Sequence, residues 1–458
     1  MACNLLPSIT LASDAHYPKW ADDGCFNYLT YSNMKKTSPL RRLFLSAAVL
    51  LGTAGILCAQ DAPTPELNTG DTAWMLTSTV LVLLMTLPGL ALFYGGLVRA
   101  KNVLSILVQC FVIAAIMTIV WIAYGYSFAN TGEGLFIGGA SKLFLKDVTD
   151  SSMWLTIPES VFITFQMTFI IITPALMVGA FAERMKFSAV LIFTTIWATF
   201  SYLPIWHMAW GGGLFAKWGV IDFAGGTVVH INAGVAGLIA CIMVGKRKGY
   251  GATAMHPHSV PFTLIGAALL WVGWFGFNAG SAVAANGSAG FAMITTQVAT
   301  AAAVLAWMFV EWIITKKPTA VGAATGAVAG LVAITPASGT ATIIGSIVIG
   351  VASSVICYFC ATSLKRSLKY DDSLDVFGVH GVGGIVGAIL TGVFVRGGAA
   401  EGQLVNQILS VLVTIGWSGV VAVIALFIAK VTVGLRVTEQ AETQGLDTTS
   451  HGETAYMS

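Results

Sequence analysis

Apolar residues in this chain form long, uninterrupted stretches. After Asp61 there are eleven such runs, each near the ~20 residues that a transmembrane helix needs; they lie at 73–98, 103–128, 158–182, 187–208, 226–245, 259–280, 290–314, 319–336, 341–364, 378–395 and 404–434. The runs at 319–336 and 378–395 are short and rich in glycine. The pattern predicts an all-α membrane protein with eleven transmembrane helices, called spans 1 to 11 here, of which the last is long.

Basic residues between the runs indicate the orientation. If span 1 starts outside, fourteen Lys and Arg residues after residue 60 fall in inner segments and four in outer segments. Inner segments of membrane proteins carry the excess of basic residues. We therefore expect the N-terminus outside, the C-terminus inside, and a polar cytoplasmic tail at 435–458.

The first 60 residues are expected to lie outside the membrane domain, which we place at 61–434. Residues 34–60 read MKKTSPLRRLFLSAAVLLGTAGILCAQ, where a basic start precedes an apolar stretch and a plausible cleavage site. This is the pattern of a secretory signal peptide; an additional first helix is the alternative. Residues 1–33 show no pattern, so we expect them to be an upstream extension and Met34 to be the natural start.

The composition agrees with a membrane protein. Only 10% of the residues are charged and 56% are hydrophobic, whereas soluble domains carry about 25% charged residues. The net charge of +2 leaves no basic excess for binding nucleic acid. The few cysteines argue against a secreted disulfide scaffold.

A histidine followed by glycines occurs twice. HINAGVAG begins at His230 and HGVGGIVG at His380, so glycines follow at +4 and +7 in both motifs, and Asp222 and Asp375 precede them. On a helix these glycines share the face of the histidine. The motifs lie in spans 5 and 10, five spans apart, which predicts an inverted repeat of spans 1–5 and 6–10 with span 11 added. In such folds the substrate path lies between the halves.

Two histidines inside a membrane favour a functional role, because ionisable groups there are costly and face pathways. One imidazole can donate a hydrogen bond to the other, and a proton can pass between them because histidine titrates near neutrality. Structural histidines bound to carbonyls are the alternative. No third or fourth metal ligand lies at helical spacing, so bis-histidine haem ligation is the stronger competing site.

Aromatic residues indicate what the path carries. Phe165 and Phe169 are four apart on span 3, and Trp210 ends span 4 at the outer side. Trp274, Phe277 and Ser281 lie on span 6. An aromatic cup attracts a small cation by up to ~2 kcal/mol when desolvated, and a serine oxygen can accept its hydrogen bond. Packing against lipid or the core is the alternative for each ring.

Six long motifs carry a family resemblance. They are PGLALFYGGLVRAKNVLS (88–105), VGAFAERMKFSAVLIF (178–193), HMAWGGG (207–213), DFAGGTVVHINAGVAGL (222–238), GWFGFNAGSA (273–282) and DVFGVHGVGGIVG (375–387). Together with the tail GLRVTEQAETQGLDTTSHGETAY, they closely resemble the bacterial ammonium transporter family. This family includes methylammonium permeases and, more distantly, Rh proteins. The resemblance covers about residues 70–458.

The resemblance implies roles for the residues singled out above. Phe165, Trp210 and Ser281 match the family's outer ammonium-recruitment site. Phe169 and Phe277 match the stacked phenyl gate.

His230 and His380 match the twin pore histidines, and Asp222 matches a buried acid with a structural or electrostatic role. The resemblance also implies a homotrimer in a bacterial inner membrane, with a pore in each subunit and neither metal nor cofactor. It suggests that the tail regulates transport and that a PII-type signalling protein binds at the inner mouths.

These features predict an ammonium transporter. Ammonium is recruited at the cup and deprotonated, neutral ammonia crosses the apolar pore, and the proton follows through His230 and His380. The alternatives are passive ammonia conduction, an ammonium sensor that transports little, a haem-binding electron carrier, and an intramembrane hydrolase that would use Ser281.

Overall fold

The computed structural model describes residues 66–456. Within this part, nine helices are long and apolar enough to cross a membrane. They are α1 (Thr69–Leu97), α2 (Ala100–Asn130), α3 (Glu159–Phe181), α4 (Phe187–Lys217), α5 (Gly226–Val244), α6 (Val260–Gly280), α7 (Gly287–Thr315), α9 (Ile343–Leu368) and α11 (Gln403–Thr432). The predicted all-helical membrane fold is therefore confirmed.

Two shorter apolar helices occupy the runs that the sequence marked as short. They are α8 (Ala320–Ile334) and α10 (Phe377–Thr391). Both helices are rich in glycine, and most of their residues are buried. Within residues 66–456, only the nine long helices have the length of a complete span. The eleven-span topology and its orientation therefore remain predictions. The expected signal peptide at 34–60 and the extension at 1–33 lie outside the described residues.

The two histidine helices cross each other at their glycines. A Cβ added to Gly234 on α5 would lie 2.3 Å from the Cα of Gly381 on α10. Reciprocally, a Cβ added to Gly384 on α10 would lie 3.1 Å from the Cβ of His230 on α5. Each helix thus presents its smooth face to the histidine segment of the other, as a repeat with approximate two-fold symmetry requires. Helix packing in membranes depends on such small residues.

Polar segments close both ends of the bundle. On the side where α3 begins, a short hairpin pairs β1 (Met153–Trp154) antiparallel with β2 (Ile157–Pro158). At the opposite end, the tail forms two short helices, α12 (Glu439–Gln444) and α13 (Leu446–His451). Asp447 accepts hydrogen bonds from the backbone of Leu104 and Ser105 at 3.0 and 2.8 Å. The tail is therefore folded against the beginning of α2 in its own chain.

Candidate functional site

Three predicted residues lie together near the β-hairpin end of the bundle. Phe165 on α3 and Trp210 on α4 pack edge-on against Phe169, with ring centroids 5.1 and 5.9 Å from it. Ser281 directly follows α6, and the neighbouring Gly280 is so close to Phe165 that an added Cβ would lie 2.9 Å from its ring. The structure thus brings the three residues of the predicted cup to one place.

The hydroxyl oxygen of Ser281 can still accept a hydrogen bond. Its Oγ donates to the carbonyl oxygen of Phe277 at 2.8 Å, so the lone pairs of Ser281 are available for an incoming donor. Trp210 is held in place by its indole N–H, which donates to the carbonyl oxygen of Asp222 at 2.7 Å. Both contacts fix the side chains without using groups that a cation needs.

Two stacked rings lie below the cup. Phe169 and Phe277 face each other with centroids 4.3 Å apart and planes 20° apart, and both are fully buried. The ring of Phe277 lies 6.0 Å from that of His230. The pair therefore lies between the cup and the histidines and presents apolar surface there.

The two histidines form a buried pair. The Nδ1 atoms of His230 and His380 lie 3.4 Å apart, and the rings stack with centroids 5.5 Å apart. Both residues belong to wider π-helical turns, Gly226–Ile231 and Phe377–Gly381, which begin α5 and α10. Such turns are rare and often mark functional sites. The repeat seen in the sequence therefore extends to the local backbone of both histidines.

Trp274, one of the aromatic residues noted on span 6, lies against the pair. Its ring stacks on that of His230, with centroids 5.4 Å apart and planes 17° apart. Its indole N–H donates to Thr335 Oγ1 at 2.9 Å. Trp274 lies three residues before Phe277, about one turn earlier on α6, but in a chain with 11% aromatic residues this spacing gave no specific signal.

A cavity of about 200 Å³ lies on the far side of the pair. His380 lines it together with Tyr94, Thr325, Ser373 and Asp375. Hydroxyl and carboxylate groups can hold water, so the surroundings of His380 include polar groups as well as apolar ones.

Asp222 organises the start of α5. Its carboxylate accepts hydrogen bonds from the backbone N–H groups of Gly225, Gly226 and Thr227 at 3.0, 2.5 and 2.8 Å, and from the Thr227 hydroxyl. A carboxylate at a helix N-terminus satisfies donors that have no partner within the helix. Asp222 points at the backbone and not at the histidines, in agreement with a structural role.

The acid that corresponds to Asp222 in the second half is Asp372 and not Asp375, the acid noted before the second histidine motif. Asp372 accepts from the backbone N–H groups of Val376 and Phe377 at 3.0 and 2.8 Å, whereas Asp375 pairs with Lys365. Asp222 and Asp372 each precede their histidine by eight residues. Counting back from the histidines would have identified the correct acid.

An ion-pair network joins loops at the end of the bundle where the tail lies. Glu183 lies between Arg99 and Arg247, with Nη–Oε2 distances of 2.7 and 3.3 Å. Arg247 also contacts Asp371 at 2.8 Å. Burial alone would raise the pKa of Glu183, but the hydrogen bonds and charges of the two arginines outweigh it and lower that pKa.

Asp371 behaves in the same way. Burial would raise its pKa, but the hydrogen bonds and charge of Arg247 lower it. The network therefore keeps both carboxylates ionised at neutral pH, and Arg247 links the segment after α3 to the segment before α10.

The geometry of the histidine pair bears on the haem alternative. An Nδ1–Nδ1 distance of 3.4 Å is close to a hydrogen bond, and the rings stack on each other. This leaves no space for a macrocycle between them. Among residues 66–456, no group of three or more His, Cys, Asp or Glu side chains is arranged to hold a metal ion.

The fold and site define a multi-pass α-helical membrane protein with a buried pair of histidines next to a stack of aromatic rings. Residues 73–456 match the Ammonium Transporter Family. The chain belongs to this family, as the sequence motifs predicted.

Relatives support this assignment. The chain is 49% identical over 403 residues to an ammonium transporter of Aquifex aeolicus (strain VF5), covering 85% of this chain and 94% of the relative. It is 47% identical over 403 residues to an ammonium transporter of Bacillus subtilis (strain 168), covering 85% and 98%.

Solved structures share the fold. The crystal structure of Saccharomyces cerevisiae Mep2 superimposes with a TM-score of 0.76 at 32% identity, covering 82% of this chain and 91% of that chain. A structure named Sensor Amt Protein superimposes with a TM-score of 0.78 at 29% identity, covering 83% and 98%.

Proposed function

We propose that this protein moves ammonium across a bacterial inner membrane by splitting it into ammonia and a proton. The observation that carries the proposal is the continuous series Phe169, Phe277, His230, His380. Each ring centroid lies within 6.0 Å of the next, and the two Nδ1 atoms lie 3.4 Å apart. Apolar rings and a proton-conducting pair lie in direct succession along it. Membership in the ammonium transporter family supplies the substrate.

Selectivity against potassium follows from this order. A charge at the bilayer centre costs at least ~2.5–3.5 kcal/mol on insertion scales, and the stacked rings of Phe169 and Phe277 provide no compensating groups. At the cup, Phe165, Trp210 and Ser281 stabilise the cation. Ammonium can then lose a proton and cross as neutral ammonia, whereas potassium of similar size and charge has no neutral form.

The proton follows through the histidines. His230 Nε2 is buried and has no hydrogen-bond partner within 66–456, so it can accept a proton. The Nδ1–H of His230 then passes to His380 Nδ1, and His380 releases a proton into the cavity that it lines. One charge crosses per ammonia molecule, and both imidazoles must return to their starting tautomers before the next cycle.

The arrangement in the membrane belongs to the same proposal. The nine long helices together with α8 and α10 make eleven spans, with the N-terminus outside and the tail inside. We further propose a homotrimer with one pore per subunit and a PII-type signalling protein at the inner mouths. Both come from the family resemblance.

The test is charge movement in proteoliposomes on rapid addition of ammonium, with potassium as the substrate control. We expect a saturating ammonium current, no potassium current, and no current for His230→Ala. His256→Ala is the matched control, because His256 is exposed in a loop, and it should keep the wild-type current. An unchanged current in His230→Ala would exclude the relay.

A second candidate function is ammonium sensing with little transport, which the similarity to the Sensor Amt Protein structure favours. The same assay separates the possibilities. Ammonia uptake without current indicates a passive channel, and neither uptake nor current indicates a sensor.

A further inference from the structure

A groove opens on the surface of the bundle between the end of α5 and the segment that joins α9 to α10. Its volume is about 440 Å³. The floor is apolar and consists of Leu238 and Ile242 on α5, Leu368 at the end of α9, and Phe377. Ile242 is 57% exposed and Leu368 64% exposed. These side chains lie on the outer surface of the single chain, so the groove opens outward from the bundle.

Two lysines stand at the polar rim of this groove. Lys246 follows α5 by two residues and Lys369 directly follows α9, so both lie at the same end of the bundle. Within residues 66–456, neither ammonium group donates to a carboxylate or a carbonyl. By contrast, Lys186 at this end donates to the carbonyl oxygen of Val433 at 2.8 Å, and Lys365 pairs with Asp375.

The acid that lines the groove does not neutralise these lysines. Asp371 is 1% exposed, and its carboxylate oxygens contact the backbone N–H, Nε and Nη2 of Arg247 at 2.7 to 3.3 Å. Lys246 instead lies over the ring of Tyr250, 5.6 Å from its centroid. The groove therefore combines an apolar floor with two positive charges that lack a counter-ion.

We propose that the groove binds one anionic phospholipid. The phosphodiester lies between the ammonium groups of Lys246 and Lys369, and an acyl chain lies along Leu238 and Ile242. Basic pockets between transmembrane helices recognise anionic headgroups in this way. A soluble anion such as inorganic phosphate would use the two charges but not the floor, which is why a lipid fits the groove better.

The test counts lipids that stay bound to the purified full-length protein by native mass spectrometry, with dioleoyl phosphatidylglycerol as the probe and dioleoyl phosphatidylcholine as the neutral comparison. Two variants address the site: Lys246→Gln with Lys369→Gln removes the charges, and Ile242→Trp fills the floor. The control, Lys317→Gln with Lys430→Gln, removes two exposed lysines that do not line the groove. Apparent melting temperatures establish that all variants are folded.

We expect the wild-type chain to retain one phosphatidylglycerol more than the Lys246/Lys369 variant. Each lysine near an anionic headgroup contributes about fivefold in affinity, so the loss should be about 30-fold for the pair. Ile242→Trp should weaken lipid binding too, and the control should bind like the wild type. Phosphatidylcholine should not distinguish the variants.

Three results would overturn the proposal. The first is equal retention by the wild type and the Lys246/Lys369 variant. The second is an equal loss in the Lys317/Lys430 control, which would indicate diffuse surface charge. The third is unchanged lipid binding in Ile242→Trp together with displacement of lipid by inorganic phosphate, which would indicate a soluble anion site. The readout is binding, so it does not depend on the proposed transport mechanism.

Discussion

His230 and His380 are separated by 150 residues in sequence, yet their Nδ1 atoms lie 3.4 Å apart in the centre of the bundle. Neither ring can exchange a proton with bulk water directly, because only 1% and 3% of these residues are exposed. In the proposed relay, a proton taken up by His230 therefore reaches the cavity only through His380.

This dependence predicts that the histidines act as one unit. His230→Ala and His380→Ala should each lower the ammonium current by about 100-fold or more, the range in which positioned proton-transfer groups contribute. The double variant should lose no more than either single variant, because residues that act together are not additive. Currents at saturating ammonium test this. Losses that multiply in the double variant would show that the histidines act separately.

Asp222 and Asp372 should be important for the stability of the folded protein, whereas the neighbouring Asp375 should not. Asp222→Ala leaves several buried N–H groups without an acceptor, at ~1–3 kcal/mol for each unsatisfied group. Asp372→Ala removes the equivalent contacts at α10. Both should lower the apparent melting temperature in detergent by several degrees.

Asp375→Ala is the matched comparison, because Asp375 pairs only with Lys365 at a partly exposed position. Its effect should stay within ~1 kcal/mol. A larger loss for Asp375→Ala than for Asp372→Ala would contradict the assignment of Asp372 as the counterpart of Asp222.

The sequence predicted the long helices well, because an apolar run of transmembrane length has few other solutions. It also predicted which histidines and phenylalanines come together, through the repeat and the family motifs. It did not single out Asp372, because three acids at 371, 372 and 375 precede His380 and only the backbone shows which one caps the helix. The stack of Trp274 on His230 depends on contacts between distant helices, for which the sequence has no local signal.

Gly234 allows the two histidine helices to cross. A Cβ at this position would lie 2.3 Å from the backbone of Gly381, so Gly234→Ala must push α5 and α10 apart. Overpacking of this kind costs ~1–3 kcal/mol, and the displacement would also separate the histidines. We expect a lower melting temperature and a lower ammonium current.

Gly416→Ala is the control for this change. Gly416 lies on α11 with no atom within 4 Å of an added Cβ, so this variant should melt and transport like the wild type. If Gly234→Ala is equally silent, the helices do not depend on close approach at this point.

Asp71 joins segments around the predicted cup. Its Oδ1 accepts from the backbone N–H of Ala285 at 2.8 Å, four residues after Ser281, and its Oδ2 accepts from Thr156 Oγ1 at 2.6 Å, just before α3. Asp71→Ala should release both segments and cost ~1.5–3 kcal/mol for hydrogen bonds to a charged group. The ammonium concentration for half-maximal current should rise with it.

Asp71→Asn separates geometry from charge. The amide can accept from Ala285 and donate to Thr156, so a positioning role predicts nearly wild-type half-saturation. If Asp71→Asn is as impaired as Asp71→Ala while its melting temperature is normal, the charge of Asp71 is what the cup requires.

Arg247 should control the acid stability of the protein. Because the pKa values of Glu183 and Asp371 are lowered in the folded state, the ion pairs stabilise it at pH values above the ordinary carboxyl pKa of ~4. This stability is lost as the pH falls through the lower folded values. Arg247→Gln removes the partner of Asp371 and one partner of Glu183. Burial then dominates at Asp371 and raises its pKa, so the acid limb of the stability profile should move to higher pH.

Melting temperatures measured across the acid range check this prediction. At neutral pH, Arg247→Gln should be destabilised by ~3–5 kcal/mol, since a buried carboxylate loses its counter-ion. The difference from the wild type should shrink in acid, where the wild-type carboxylates become protonated as well. Arg366→Gln is the matched control, because Arg366 is exposed and makes no ion pair within residues 66–456. A difference that stays constant with pH would show that Arg247 stabilises these loops by packing and not through the two carboxylates.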